Sequence, residues 1–208
     1  AELQPVFSYY EECIESEART AIELAGSQGG YVDAGEYVPG SEYAPFSNQL
    51  NFLGFPVPYW FYISGNGVVK EQVPLKSDIE RGIAEYVGGS LGGCDFSRFY
   101  EQGFFVEFDE PEARVKIADA KVDVDVISNL VVSKGEESAR RREHSVEINS
   151  KLGKFYNLAR EIYEKQKTDK FFDNYAVDVL RLYAPVDGVE ISCSGKVWKT
   201  REIIDELK

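Results

Sequence analysis

The pattern that most constrains this fold is a series of alternating apolar residues between about 103 and 149. Four stretches place apolar side chains at every second position, the period of a strand with one buried face. These residues are Phe104, Val106 and Phe108; Ala113, Val115 and Ile117; Val122, Val124 and Val126; and Val146 and Ile148. Their short connections predict an antiparallel four-stranded meander. The period is lost over 127–132, which predicts a bulge there.

Two aspartates in this region could be taken for a metal-binding or acid–base pair. A tight turn at 119–120 would instead place Lys116 opposite Asp123 and Arg114 opposite Asp125, with apolar partners on the other face. Because this register satisfies both faces of the sheet at once, we interpret the aspartates as members of cross-strand charge pairs.

Amphipathic helices are predicted on both sides of the strands. Apolar residues at spacings of three and four indicate helices at 5–26 and 77–91, and further helices after Leu152 and after Asp169. In the second helix, Ser77 and Glu80 match the S-x-x-E capping box. In the third, the predicted buried stripe consists of Leu152, Phe155, Ala159 and Ile162.

These elements predict an α+β fold, with the meander packed against several amphipathic helices. We expect a single domain over 1–208; the alternative is a helical and aromatic-loop lobe at 1–100 and a lobe at 101–208 with the meander and C-terminal helices. A short strand at 189–193 and a helix from residue 198 complete the prediction. Met is absent and the chain ends within an amphipathic pattern, so we expect truncation at both ends.

Charge limits the classes of partner. The formal net charge is −13, which repels nucleic acid and anionic lipid headgroups. No apolar run approaches the roughly 20 residues that a membrane span needs. Arg140–Arg142 form one local basic cluster, which we interpret as an exposed hairpin end rather than a phosphate site.

Motifs for catalysis, metals or cofactors are not found in the sequence. His144 is the only histidine, no G-x-S-x-G motif accompanies it, and its strand parity predicts a place at the rim of the packed face. The glycines lack the spacing of a phosphate-binding loop, and none of the 36 carboxylates stands out as a catalytic pair. We therefore assign no catalytic residue, metal or cofactor.

The aromatic segment 52–62 is the best binding candidate, because it is dense in the residue types that anchor interfaces. An alternative is that these rings form a core beneath the irregular segment 27–58, and the sequence leaves both interpretations open. The candidate binding residues are Phe52, Phe55, Tyr59, Trp60 and Tyr62.

Three cysteines are present without the C-x-x-C spacing of zinc or redox motifs. An odd number indicates either free thiols or a partner outside this chain. If the first two helices pack side by side, Cys13 and Cys94 can meet, and Cys193 is left as an unpaired thiol.

The order of several short motifs resembles a group of uncharacterised exported archaeal proteins, chiefly from small-genome lineages. The resemblance spans nearly the whole chain, with Gly195 where a proline is usual. The motifs are Tyr10-x-x-Cys13, Gln28-Gly29-Gly30-Tyr31, Pro58-Tyr59-Trp60, Cys94 with Phe96, Glu101-Gln102-Gly103-Phe104, Val132-Ser133-Lys134-Gly135, Leu152-Gly153-Lys154, and Cys193 with Val197-Trp198.

This resemblance implies a hydrophobic anchor before residue 1, a chain that continues past residue 208 and a location outside the cell. An oxidising location supports the Cys13–Cys94 bridge; the family supplies no activity. We therefore expect an extracellular, membrane-anchored binding or surface-assembly domain with a protein or glycan partner. The alternatives are a carbohydrate- or cell-wall-directed hydrolase and a pilin-like filament subunit.

Overall fold

Long helices and antiparallel strands make up the computed structural model, which describes residues 2–42, 47–182 and 199–206. The chain forms two compact units, Ala1–Tyr156 and Asn157–Lys208. The α+β class is confirmed. The division at 156 differs from the alternative boundary at 100, because the first two helices and the strands belong to the same unit.

The first unit begins with a helix, followed by two small hairpins and a second helix. A 3-10 turn at Leu91–Gly93 and a short helix then lead into the main sheet. Its helices and hairpin strands are α1 (Gln4–Ser27), β1 (Gln49–Phe52), β2 (Phe55–Pro58), β3 (Phe61–Ile63), β4 (Val69–Glu71), α2 (Lys76–Ser90) and α3 (Ser97–Tyr100). The main sheet contains β5 (Phe105–Glu107), β6 (Glu112–Ile117), β7 (Lys121–Lys134) and β8 (Glu137–Asn149), and α4 (Leu152–Asp169) follows.

The connectivity of the main sheet matches the predicted meander over β6, β7 and β8 and differs from it at β5. β8 pairs with one edge of β7, whereas β5 and β6 both pair antiparallel with its other edge. β5 and β6 therefore run in the same direction, end to end. The chain between them does not reverse, so β5 and β6 are not hairpin partners as the meander requires.

Asp109 joins the break between β5 and β6 to an irregular point in β7. Its carboxylate accepts hydrogen bonds from the Asn129 backbone N–H (2.7 Å) and side-chain amide (2.6 Å), and its carbonyl accepts one from Ser128 Oγ (3.1 Å). The bonds from Asn129 hold the pKa of Asp109 below its ordinary value.

The predicted register of β6 and β7 is confirmed: Lys116 lies opposite Asp123 and Arg114 opposite Asp125. The charged groups nevertheless take other close partners. Lys121 Nζ lies 3.0 Å from Asp123, and Ser145 Oγ donates to Asp125 Oδ1 at 2.5 Å. The backbone register thus follows from the sequence pattern, whereas Asp123 and Arg114 form their ion pairs within their own strands, with Lys121 and Glu112.

The predicted bulge is also confirmed, as a register shift between Ile127 and Leu130 of β7. Val126 lies opposite His144 before the shift, and Leu130 lies opposite Arg141 after it. Across this shift, the inward-facing side chains of β8 therefore change from even-numbered to odd-numbered positions. Arg141 points to α1, where its guanidinium lies 2.7 Å from Glu11 Oε1, so it does not belong to an exposed cluster as predicted.

The core of the first unit lies between the sheet and the two long helices. α1 packs beside α2 and against β8. One face of α1 is fully buried and consists of Val6, Phe7, Tyr10, Ile14, Ala18, Ala21 and Ala25. The sheet contributes mainly the even positions of β7, namely Val122, Val124, Val126, Leu130 and Val132.

The N-terminus of α2 corrects the predicted capping box. The helix starts one residue earlier, and Asp78 rather than Glu80 closes it by accepting a hydrogen bond from the Leu75 N–H at 3.1 Å. Glu80 instead accepts the Ile117 N–H at 2.9 Å, which connects α2 to the sheet.

The predicted disulfide between Cys13 and Cys94 is present, with the two Cα atoms 6.3 Å apart. It joins the middle of α1 to the chain just after α2, because these helices pack side by side as expected. Cys193 and the predicted strand at 189–193 lie outside the described residues.

The second unit contains the rest of α4, then α5 (Phe171–Leu182) and α6 (Thr200–Glu206). Lys170, at a positive φ of 51°, separates α4 from α5. Phe171 stacks on Tyr175, with ring centroids 6.3 Å apart. The stripe predicted for α4 is correct only at its start: Leu152 is buried, whereas Phe155 and Ile162 are exposed. Among the helices of the described ranges, none has an apolar stretch of membrane-spanning length.

Candidate apolar hairpin surface

Two hairpins occupy the region in which the sequence placed its binding candidates. The β1–β2 hairpin turns at Leu53-Gly54, and the β3–β4 hairpin turns at the predicted Gly65-Asn66-Gly67. Leu53 and Gly54 have φ values of 52° and 92°, the signs found in a type I′ turn. Such a turn fits the right-handed twist of the paired strands.

The base of the β1–β2 hairpin is fixed by Asn48. Its side-chain amide donates to Glu36 O at 2.9 Å, its side-chain oxygen accepts the Val38 N–H at 2.8 Å, and its carbonyl accepts the Tyr59 N–H at 3.0 Å. Because these bonds satisfy backbone groups on both sides of the hairpin, the base is held firmly to the neighbouring loop.

The end of this hairpin is apolar and exposed. Leu53 at the turn is 84% exposed, and the flanking Phe52 and Phe55 are 58% and 48% exposed. Leu50, two residues before Phe52 in β1, is exposed as well. We call these four residues, Leu50, Phe52, Leu53 and Phe55, the apolar tip.

The five predicted binding residues divide into two groups. Phe52 and Phe55 belong to the exposed apolar tip, so they do not fill a core beneath the loop. Tyr59, Trp60 and Tyr62 are partly buried. The indole N–H of Trp60 donates to Gly29 O at 2.8 Å, so this side chain attaches the hairpin region to the turn that follows α1.

Leu50 and Leu53 were missed as candidate residues, although the sequence contains a signal for them. Residues 43–69 include no Asp, Glu, Lys, Arg or His, in a chain in which 28% of residues are charged. Both hairpin turns fall within this charge-free segment. A turn of Leu-Gly between two phenylalanines, in such a segment, marks the apolar tip.

A second candidate is a cleft of about 440 Å³ between α2 and the loop after α1, lined by Asp33, Asp78, Arg81 and Glu85 among others. Arg81 is bound by Asp78 at 2.5 Å, which leaves carboxylates in excess. Burial raises the pKa of Tyr31 on the same wall, and the charge of Asp78 raises it further. The Tyr31 hydroxyl donates a hydrogen bond to Gln72 O, so its proton is already engaged within the protein.

The only histidine lies in a third polar group. His144 is 1% exposed, so the prediction of a rim position is wrong; the neighbouring α1 covers this part of β8. Its Nε2 lies 3.3 Å from Ser128 O, and its ring meets the Tyr10 ring edge-on at 4.9 Å. Because a carbonyl only accepts, Nε2 must carry the proton. Within the described residues, His144 Nδ1 and the Tyr10 hydroxyl are buried without a hydrogen bond of normal length and angle.

Protonation of His144 should destabilise the protein. Burial lowers its pKa below the ordinary value of 6.5, Arg141 adds to this, and the bond to Ser128 O opposes it. The unfolded chain therefore binds the proton first. Stability should be fully present above pH 6.5 and fall below it, by at most about 1.4 kcal/mol per pH unit.

Urea unfolding of the wild type and His144→Leu between pH 7.5 and 5 should reveal this slope as a difference between the two curves. The acidic residues common to both proteins cancel in that comparison. The single imidazole resonance should titrate below pH 6.5 in NMR spectra; a midpoint above 6.5 would contradict the prediction.

Few groups in the described ranges could support metal binding or acid–base catalysis by carboxylates. No cluster of three or more His, Cys, Asp or Glu side chains there could hold a metal ion. Hydrogen bonds from Ser97 lower the pKa of Asp95, and hydrogen bonds from Asn129 lower the pKa of Asp109. A general acid at neutral pH requires a raised pKa instead.

Comparison with known proteins adds no assignment: no protein-family model, curated protein or solved structure matches this chain.

Proposed function

We propose that this chain is a binding domain that works outside the cytoplasm and contacts its partner through the apolar tip. The observation that carries the proposal is the exposure of Phe52, Leu53 and Phe55 within a segment free of charge. Burying such side chains is favourable at about 25 cal/mol per Å². A firmly held hairpin base also lowers the entropy lost on binding.

An exterior location is supported by the disulfide between Cys13 and Cys94, since such bonds persist in oxidising compartments. The membrane anchor is part of the proposal only through the family resemblance. A filament role receives less support, because the N-terminal half of α1 is packed in the core through Val6, Phe7 and Tyr10. A pilin-like subunit would extend this part of the helix into a filament.

Site-specific photo-cross-linking tests the proposed function. p-Benzoylphenylalanine replaces Phe52 or Phe55, and the protein is irradiated with an envelope preparation from the cells that produce it. We expect covalent products from both positions, whether the partner is protein, glycan or lipid, because both rings lie on the contact surface.

Phe105 of β5 provides the control, because it is 55% exposed but lies outside the hairpins. The same photo-reactive residue at Phe105 should give much less product. Equal yields at all three positions, or no product at Phe52 and Phe55, would refute a contact surface at the apolar tip.

A further inference from the structure

The chemistry of the apolar tip limits what it can bind. Leu50, Phe52, Leu53 and Phe55 have no side-chain hydrogen-bond donor or acceptor. A glycan is recognised through its hydroxyl groups, so a site for it needs polar side chains beside the aromatic rings. The apolar tip therefore fits an apolar partner better than a sugar.

The backbone conformation of the turn indicates that folding does not require leucine at position 53. Positive φ at both central positions favours Asn-Gly, because asparagine tolerates the left-handed region better than leucine does. Nothing lies within 4 Å of the site where a Cβ on Gly54 would stand, so the turn is open on that side. Leucine here is unfavourable for the turn and is 84% exposed.

Addition of a partner strand to β2 is blocked. Pro56 and Pro58 lie opposite Asn51 and Gln49 in the ladder. Proline has no N–H, so these are the non-hydrogen-bonded pairs, and the free edge of β2 lacks donors at both positions. A partner strand therefore cannot extend the sheet from β2 by a regular hydrogen-bonded ladder.

We propose that the apolar tip inserts shallowly into the interfacial region of a lipid bilayer. This inference rests on the proposed function, because it names the partner that the tip contacts. A protruding apolar turn needs no matching groove in a fluid hydrocarbon layer. The segment 43–69 brings no charge that would have to be desolvated there. Because the whole chain carries −13, neutral lipid should be preferred over anionic lipid.

Flotation with phosphatidylcholine vesicles tests this inference, with Leu53→Asn as the main variant. This substitution removes the most exposed leucine and supplies the residue that the turn favours. We expect vesicle partitioning to fall about tenfold or more, while the urea midpoint stays equal or rises. Replacing part of the lipid by anionic phosphatidylglycerol should weaken binding of the wild type.

Leu75→Asn is the matched control. Leu75 is 57% exposed and occupies the N-cap of α2 with extended dihedral angles, a position that also favours asparagine. The same side chain is thus exchanged at a second exposed site where folding should not suffer. Its partitioning should equal that of the wild type.

In the flotation assay, three results would overturn the inference: no flotation of the wild type, equal losses in both variants, or no loss in Leu53→Asn. A wild-type dimer in sedimentation equilibrium that Leu53→Asn dissociates would show that a second copy covers the tip, and would also overturn it. If the tip cross-links to protein but the chain does not float, this inference fails and the proposed function stands. If both experiments are negative, both fail.

Discussion

Replacing Cys13 and Cys94 together by alanine should lower the free energy of unfolding by about 4.5 kcal/mol at 25 °C. The bridge closes a sequence separation of 81 residues. The chain-entropy relation, which attributes the effect to the unfolded chain, gives that value for such a loop. Since small proteins are stable by only about 5–15 kcal/mol, the loss would be a large fraction of the total.

Urea unfolding of the oxidised wild type and the double variant measures the effect. Intact mass under non-reducing conditions should be lower than the reduced mass by two hydrogens. Thiol titration of the denatured protein should find one free thiol, and none in Cys193→Ala. Three titratable thiols in the wild type, or unchanged stability in the double variant, would refute the prediction.

Gly153→Ala should destabilise the first unit by about 1–3 kcal/mol, the range found when packed backbone and side chains must move to admit an extra methyl group. A Cβ at this position would overlap the carbonyl oxygen of Ala118 and lie 2.8 Å from its carbonyl carbon. The preference of helices for alanine over glycine offsets only about 1 kcal/mol. The first turn of α4 packs directly against the end of β6, so neither element can easily yield.

Gly89→Ala in α2 is the control, because no atom lies within 4 Å of its Cβ position. It should be neutral or stabilise by up to about 1 kcal/mol. Urea unfolding by circular dichroism, with hydrogen exchange of β7 amides as a probe of the first unit, compares the two. Similar midpoints for both variants would show that Gly153 is not required at this contact.

The apolar tip shows which part of the candidate site could be predicted from the sequence. Aromatic density identified Phe52 and Phe55 together with Trp60, although Trp60 attaches the hairpin to the turn that follows α1. Composition alone could not separate exposed rings from anchoring ones, because both kinds occur in the same segment. The charge-free stretch was visible in the sequence and would have included Leu53.

Features that depend on residues close together in the chain could be predicted without the structure. Alternation and turn position specified that Lys116 lies opposite Asp123, and the loss of alternation located the bulge. Register is accessible in this way because a one-residue slip would turn every apolar side chain to the wrong face. Helix positions followed from the same local periodicity.

Which surfaces become covered depends instead on contacts between residues far apart in the chain. β5 pairs with β7 rather than β6, the bulge turns Arg141 toward α1, and α1 buries His144. Each outcome depends on a neighbour far away in sequence, about which local periodicity carries no information. The same holds for the apolar tip, whose exposure follows from how the hairpin base is held and not from the hydrophobicity of its residues.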